Sequence, residues 1–221
     1  MLDSGAVAEP FEREWFMRHP MRVAHDLVGA MLVVDRNGDQ VVARIVEVEA
    51  YGGMEDLASH ATMYRVGRET IGSAPGVLYM QRSYGLHTMT NIVAHESGKY
   101  GAVLLRAAED PVKGLELAKA RRLPKQSALL VGPGSLSRGV GTMLTDTLQP
   151  LGAETGVLLA PGVADTQIWA SPRIGITRAT EALWRLFDGS SQFVSRHRRG
   201  EIIGEPDLDR LIAQLPELHF R

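Results

Sequence analysis

Asn37-Gly38 stands between two runs rich in β-branched and apolar residues, Met31 to Val34 and Val41 to Val48, inside the linker Asp35-Arg36-Asn37-Gly38-Asp39. An Asn-Gly pair readily adopts the positive φ angles of a two-residue turn whose twist matches that of paired strands, so a β-hairpin is predicted. That local choice commits the early chain to antiparallel pairing. Gly76 to Gln81 and Leu86 to Val93 read as a second extended pair, separated by Ser83-Tyr84-Gly85, where glycine permits a tight reversal. Ala102 to Ala107 is a further strand, and Thr155 to Ala160, Arg173 to Thr177 and Gln192 to Ser195 are short extended pieces. A helix is predicted over Met21 to Val28, whose Val23, Ala24, Leu27 and Val28 share one face before Gly29. A second runs from Asp110-Pro111, as N-cap and first residue, to about Arg122, buried through Leu115, Leu117 and Ala118. A third, short one passes through Leu136 after Gly132-Pro133-Gly134. Strands that arrive as hairpins, rather than in regular alternation with helices, specify an α+β chain with a largely antiparallel sheet.

With 221 residues, 44% hydrophobic and 23% charged, the chain has the composition of an ordinary globular protein. No linker-like stretch interrupts it, so one domain over residues 1–221 is expected. No apolar run approaches the ~18 residues of a membrane span, and Met1 to Arg13 lacks the basic-then-apolar order of a signal peptide. An intracellular protein without a membrane partner is the expectation. The absence of cysteine excludes disulfides, thiolate nucleophiles and Cys-ligated zinc. A net charge of -2 means that any nucleic-acid binding requires locally concentrated Lys and Arg. Lys119, Arg121, Arg122 and Lys125 form one such cluster, and Arg196, His197, Arg198 and Arg199 another. Without a further signal both read as solvated faces rather than as phosphate contacts.

Chemistry is concentrated in Arg44-Ile45-Val46-Glu47-Val48-Glu49-Ala50-Tyr51-Gly52-Gly53, followed by Glu55, Asp56 and His60. Residues two apart in a strand share a face, so Glu47, Glu49 and Tyr51 project together. That face is either the wall of a site or the solvated side of an edge strand. Two carboxylates on one strand, ~6.5 Å apart between Cα atoms, fit a glycosidase pair poorly, because glycosidases place theirs on opposite sides of the scissile bond. A metal site drawn from His60, His87, His95, Glu55 or Asp56 lacks any familiar ligand spacing such as His-Glu-x-x-His.

The run Arg44 to Tyr51, with Glu55-Asp56 and His60 behind it, resembles the signature of the alkyladenine (3-methyladenine) DNA glycosylase family in order and spacing. The resemblance continues through Tyr79, Tyr84-Gly85, Asn91, Val103-Leu104-Leu105-Arg106-Ala107, Gly132-Pro133-Gly134-x-Leu136, Ser171-Pro172-Arg173-Ile174-Gly175-Ile176, Trp184-Arg185-Leu186-Phe187 and Val194-Ser195. It covers residues from about Phe16 to Ser195. It implies a curved antiparallel sheet, surrounding helices and a protruding hairpin that inserts into DNA. It also implies a monomeric, monofunctional enzyme that removes alkylated or deaminated purines from double-stranded DNA without cofactor or metal.

By that resemblance Glu49 activates the water, with Arg106 beside it, and Tyr51 and His60 are stacking walls for the extruded base. Asn91 discriminates against guanine's exocyclic amine, and Tyr84 is the wedge that fills the gap in the duplex. These roles match physical need. Extruding a base costs a few kcal/mol, an aromatic slot returns ~1–3 kcal/mol per stacked base, and a carboxylate suits both water activation and an oxocarbenium-like sugar. No lysine nucleophile, and so no strand-cleaving lyase step, is implied. The chain departs from the family at Gln81, where a stacking tyrosine is usual, at Ser135 in place of a lysine, and in a shortened Ala61 to Pro75 segment. Loss of the ring at Gln81 is expected to weaken planar neutral lesions such as ethenoadenine more than cationic ones. Two other readings of the chain are a lesion-binding protein without turnover and a nucleosidase acting on free sugars.

Overall fold

The computed structural model describes residues 8–83, 87–124, 126, 128–162, 166–195, 201–202 and 205–215. Among them, strands β1 (Met31–Arg36), β2 (Asp39–Tyr51), β3 (Leu78–Ser83), β4 (His87–Val93), β5 (Ala102–Ala108), β6 (Val157–Ala160), β7 (Ile168–Ser171), β8 (Arg185–Asp188) and β9 (Glu201–Ile202) form one sheet. Its order is β3-β4-β5-β2-β8-β7-β9, with β1 joining β2 to β6, and every pairing is antiparallel. Helices α1 (Pro20–Leu27), α2 (His60–Met63), α3 (Arg65–Ile71), α4 (Leu115–Ala120), α5 (Pro133–Val140) and α6 (Glu205–Ile212) surround it. The expected class, α+β around a curved, largely antiparallel sheet, is the observed one.

The first hairpin closes where its sequence says. Asn37 and Gly38 have φ of 59° and 93°, and Arg36 pairs with Asp39. Strand β2 then carries the architecture. Its first half pairs with β1, its second half lies between β5 and β8, and every residue from Ile45 to Ala50 is buried, whichever face it is on. Glu47 and Glu49 are fully buried as a result, which rules out the solvated-edge reading of that face. One apolar cluster, including Val48, Ala50, Leu105, Trp184 and Leu186, packs against α1 and α5 and fixes the strand's position.

Three expected elements take other forms. The helix anticipated from Asp110 begins only at Leu115, because Val112 N–H donates to Val42 O and Lys113 bridges Val42, extending the edge of β2 instead. Gly114, at φ 78°, then turns the chain, and a Cβ there would lie 2.2 Å from Gln40 O. Arg173–Thr177 and Gln192–Ser195 are loops, not strands, because their backbone donors go to side chains. Ile174 N–H donates to Glu49, Phe193 N–H to Ser191 and Ser195 N–H to Glu47. The strands in those regions are β7 and β8, which the sequence reading passed over.

Candidate active site

Two opposed irregularities in the β2–β5 ladder build the polar centre. Ile45 pairs with Ala108 and Glu47 with Ala107, leaving Val46 extra on β2, while Val48 pairs with Leu105, leaving Arg106 extra on β5. A bulge of this kind re-aims the side chain it carries. Arg106 reaches both carboxylates, with Nε 3.0 Å from Glu47 Oε1 and a terminal nitrogen 3.2 Å from Glu49 Oε2.

The two carboxylates divide from there. Glu47 Oε1 also accepts from Arg185 Nε at 2.7 Å, and its Oε2 from Ser195 N–H at 2.7 Å. Glu49 Oε1 accepts from Ile174 N–H at 2.7 Å and its Oε2 from the Tyr51 hydroxyl at 2.8 Å. A carboxylate has about four acceptor positions. Among the described residues three of Glu49's are occupied, and the remaining one is on Oε1.

Beside the partners of Glu49 lies a cavity of about 540 Å³, lined by Tyr51, Tyr64, Tyr79, His60, Gln81 and Asn91 among others. This is the size of a small-molecule site. All three groups bonded to Glu49, namely Tyr51, Arg106 and Ile174, belong to its wall. Of Glu47's partners Arg106 alone does.

The wall is held from behind. Asp56 takes a bidentate grip on Arg173 at 2.5 and 2.8 Å and accepts Gly52 and Ala58 N–H at 3.0 Å each. Arg173 in turn donates to Ala50 O and lies 4.7 Å over the Tyr51 ring. This pins the loop after β2 to the segment that presents Ile174. His60, at the start of α2, sits against Gly67 of α3, where a Cβ would fall 2.8 Å from His60 O. Its Nδ1 is 2.7 Å from the Tyr79 hydroxyl and its Nε2 is 3.0 Å from the Gln81 amide nitrogen. A Gln81 amide that donates to Nε2 places the imidazole proton on Nδ1, facing Tyr79. Asn91 donates its amide to Tyr79 O at 3.0 Å and so cannot swing away from the pocket.

Burial acts on each ionisable group. It pushes the Tyr51 phenol well above its ordinary pKa, and the charge of Glu49 adds to this, so the hydroxyl stays protonated and donates. It would also raise Glu47, but Arg185, Arg106 and the Ser195 N–H together bring that carboxyl below its usual range. Burial works against the charge on Arg106, and the two carboxylates overcome it and hold the guanidinium more firmly charged. His60 is lowered by burial and is neutral at pH 7. Tyr79 is raised to about 12, by burial and then by its neighbour Tyr64.

Six of the seven predicted site residues thus converge, namely Glu49, Arg106, Tyr51, His60, Asn91 and Gln81. The seventh, Tyr84, lies outside the described residues, as do Lys125 and the cluster Arg196 to Arg199. Ser83 and His87 are the last described pair of that hairpin. Of the other basic cluster, Arg121 is spent on the last carbonyls of α5, Gly139 O and Val140 O, and Lys119 pairs with Glu116. Asp56 and His95, weighed as metal ligands, are engaged by Arg173 and by the carbonyls of Ser73 and Glu96. Sequence reasoning gave no role to Tyr64, Arg173 or Arg185 and weighed Asp56 only as a metal ligand. Arg173 and Arg185 stood inside the quoted motifs, as charges flanked by apolar residues, and that was the available signal.

A family model described as Methylpurine-DNA glycosylase (MPG) matches residues 14–192. A protein of Chlorobaculum parvum, named "Putative 3-methyladenine DNA glycosylase", is 40% identical over 192 residues, 85% of this chain and 91% of the relative. Relatives with the same printed name from Rhodopseudomonas palustris (strain HaA2) and Nitrosococcus oceani are 37% and 38% identical, over 86% and 82% of this chain and 92% and 90% of theirs.

Proposed function

Because the chain belongs to the methylpurine-DNA glycosylase family, we propose that it hydrolyses the bond between C1′ and the base nitrogen of alkylated purines flipped out of duplex DNA. The observation that carries this reading is the buried Glu49 carboxylate, whose partners Tyr51, Arg106 and Ile174 all line an aromatic-walled pocket and which keeps one acceptor position open among the described residues. A water bound there gives its proton to Glu49 as its oxygen attacks C1′, and the C1′–N bond breaks with its electron pair leaving on the base. A cationic alkylated base departs neutral, so no second acid and no cofactor is required. Arg106 and Ile174 N–H hold the Glu49 carboxylate in place. Tyr51 and His60 wall the base, Asn91, pinned by Tyr79 O, discriminates against guanine's exocyclic amine, a penalty that the cationic ring of 7-methylguanine offsets and neutral guanine does not, and Tyr84 fills the vacated stack.

The test is base release from duplexes carrying one 7-methylguanine, hypoxanthine or ethenoadenine. Gln81 offers an amide in place of a ring, so the cationic base is expected to leave fastest and ethenoadenine slowest, the planar neutral base losing most without that stack. Binding of lesion DNA without release would instead identify a non-catalytic lesion-binding protein.

Acid is expected to inhibit. A protonated His60 adds a positive charge to a pocket that receives a cationic base, so enzyme-dependent release of 7-methylguanine falls as pH drops from 6.5 through the lowered pKa of His60. Stability moves the same way. The unfolded histidine takes up its proton first, near pH 6.5, so folding weakens between that pH and the lower folded value, and Glu47 adds a loss below about 4.5 as its depressed carboxyl is protonated. His60→Gln should flatten the acid limb of the rate profile below pH 6.5. An unchanged limb would assign it to another group.

A further inference from the structure

Three tyrosines reach the pocket, and they differ in what their hydroxyls do. Tyr51 donates to Glu49, and Tyr79 is bonded to His60. Tyr64 makes no side-chain hydrogen bond among the described residues and is 61% exposed, the most exposed aromatic of the wall. Its backbone is fixed. It joins α2 to α3, with N–H on His60 O and carbonyl receiving Arg68 N–H. Its ring stands edge-on to His60 at 5.4 Å and 82°. Gln81, on the same wall, has its amide committed to His60. An anchored backbone, a free ring and an apolar neighbour at the mouth, Met63 at 42% exposure, give a surface that loses water only when something enters.

Resting on the reading of this cavity as a purine pocket, we infer that Tyr64 is a specificity-determining residue whose ring covers the extruded base from the mouth and favours cationic alkylated purines over neutral ones. A π-face attracts a cation as well as stacking on it, whereas a neutral base gains the stacking alone. The hydroxyl is not needed for this.

Single-turnover base release is measured for the native protein and for Tyr64→Phe, Tyr64→Leu and Tyr64→Ala, on duplexes with 7-methylguanine or hypoxanthine. Thermal unfolding confirms that each exposed-site variant is folded. Phe is expected within about twofold of native. Leu and Ala are expected to slow 7-methylguanine about tenfold or more and hypoxanthine less than about threefold. An equal fall on both bases would make Tyr64 a support for His60 and overturn the inference, and so would no fall at all. If the native protein releases neither base, the glycosylase reading fails by itself. The ring contact is then decided by titrating free 3-methyladenine and following the Tyr64 ring resonances, assigned through Tyr64→Phe. A shift sustains the contact, and its absence removes it.

Discussion

Glu49→Gln is expected to slow base release from duplex DNA by about a hundred- to ten-thousand-fold while leaving lesion binding within a few-fold. The amide keeps the shape of the carboxylate, and its oxygen can still accept Ile174 N–H, so the segment carrying that backbone stays in place. What is lost is the acceptor for the water's proton and the negative charge facing the sugar as it becomes oxocarbenium-like. Arg106 loses one partner but keeps Glu47, which limits the structural cost. Single-turnover release and binding to the same lesion duplex are the paired measurements. Retained release by the variant would remove Glu49 from the mechanism. Release from free nucleosides with none from duplex DNA would move the protein to the nucleosidase reading.

The elements legible in the sequence are those decided by local rules. Asn37-Gly38 dictates its turn through two positive φ angles, and the β-branched runs on either side dictate its strands. Asp110-Pro111 obeyed the same kind of rule and misled, because the carbonyl of Val42 claimed Val112 N–H for the sheet before a helix could use it. That competition is between residues about 70 positions apart, and no window of sequence contains it. The site shows the same divide. Alternation puts Glu47 and Glu49 on one face and stops there. The distinction between them comes from the bulge that frees Arg106 and from partners far along the chain, Ile174 and Tyr51 for one, Arg185 and Ser195 for the other. Family motifs carried Glu49 and His60 into view because they record such long-range solutions. Tyr64 belongs to the segment where the chain departs from those motifs, so neither periodicity nor resemblance pointed to it.

Glu47→Leu is expected to cost about 3–5 kcal/mol or more of folding stability, a larger structural effect than any substitution of the pocket wall. Glu47 is fully buried, as is Arg185, and Arg106 is nearly so. The carboxylate accepts from both guanidiniums and from Ser195 N–H, so its removal takes a buried negative charge from beside Arg185, which also donates to Ser171 Oγ, and from beside Arg106, which keeps Glu49. Two buried guanidiniums are then set against one carboxylate, and such an imbalance costs far more than the net value of an ion pair. Against a typical total of 5–15 kcal/mol, such a loss lowers the melting temperature by roughly 10 °C. The effect has a signature that ordinary cavity formation lacks. Removing one of the excess positive charges as well, in Glu47→Leu with Arg185→Leu, should recover part of the stability, whereas two independent core truncations would add their losses. A Glu47→Leu protein that melts within about 2 °C of native would mean that Glu47 is not the keystone of the buried network, and that the second carboxylate is free to share the chemistry assigned to Glu49.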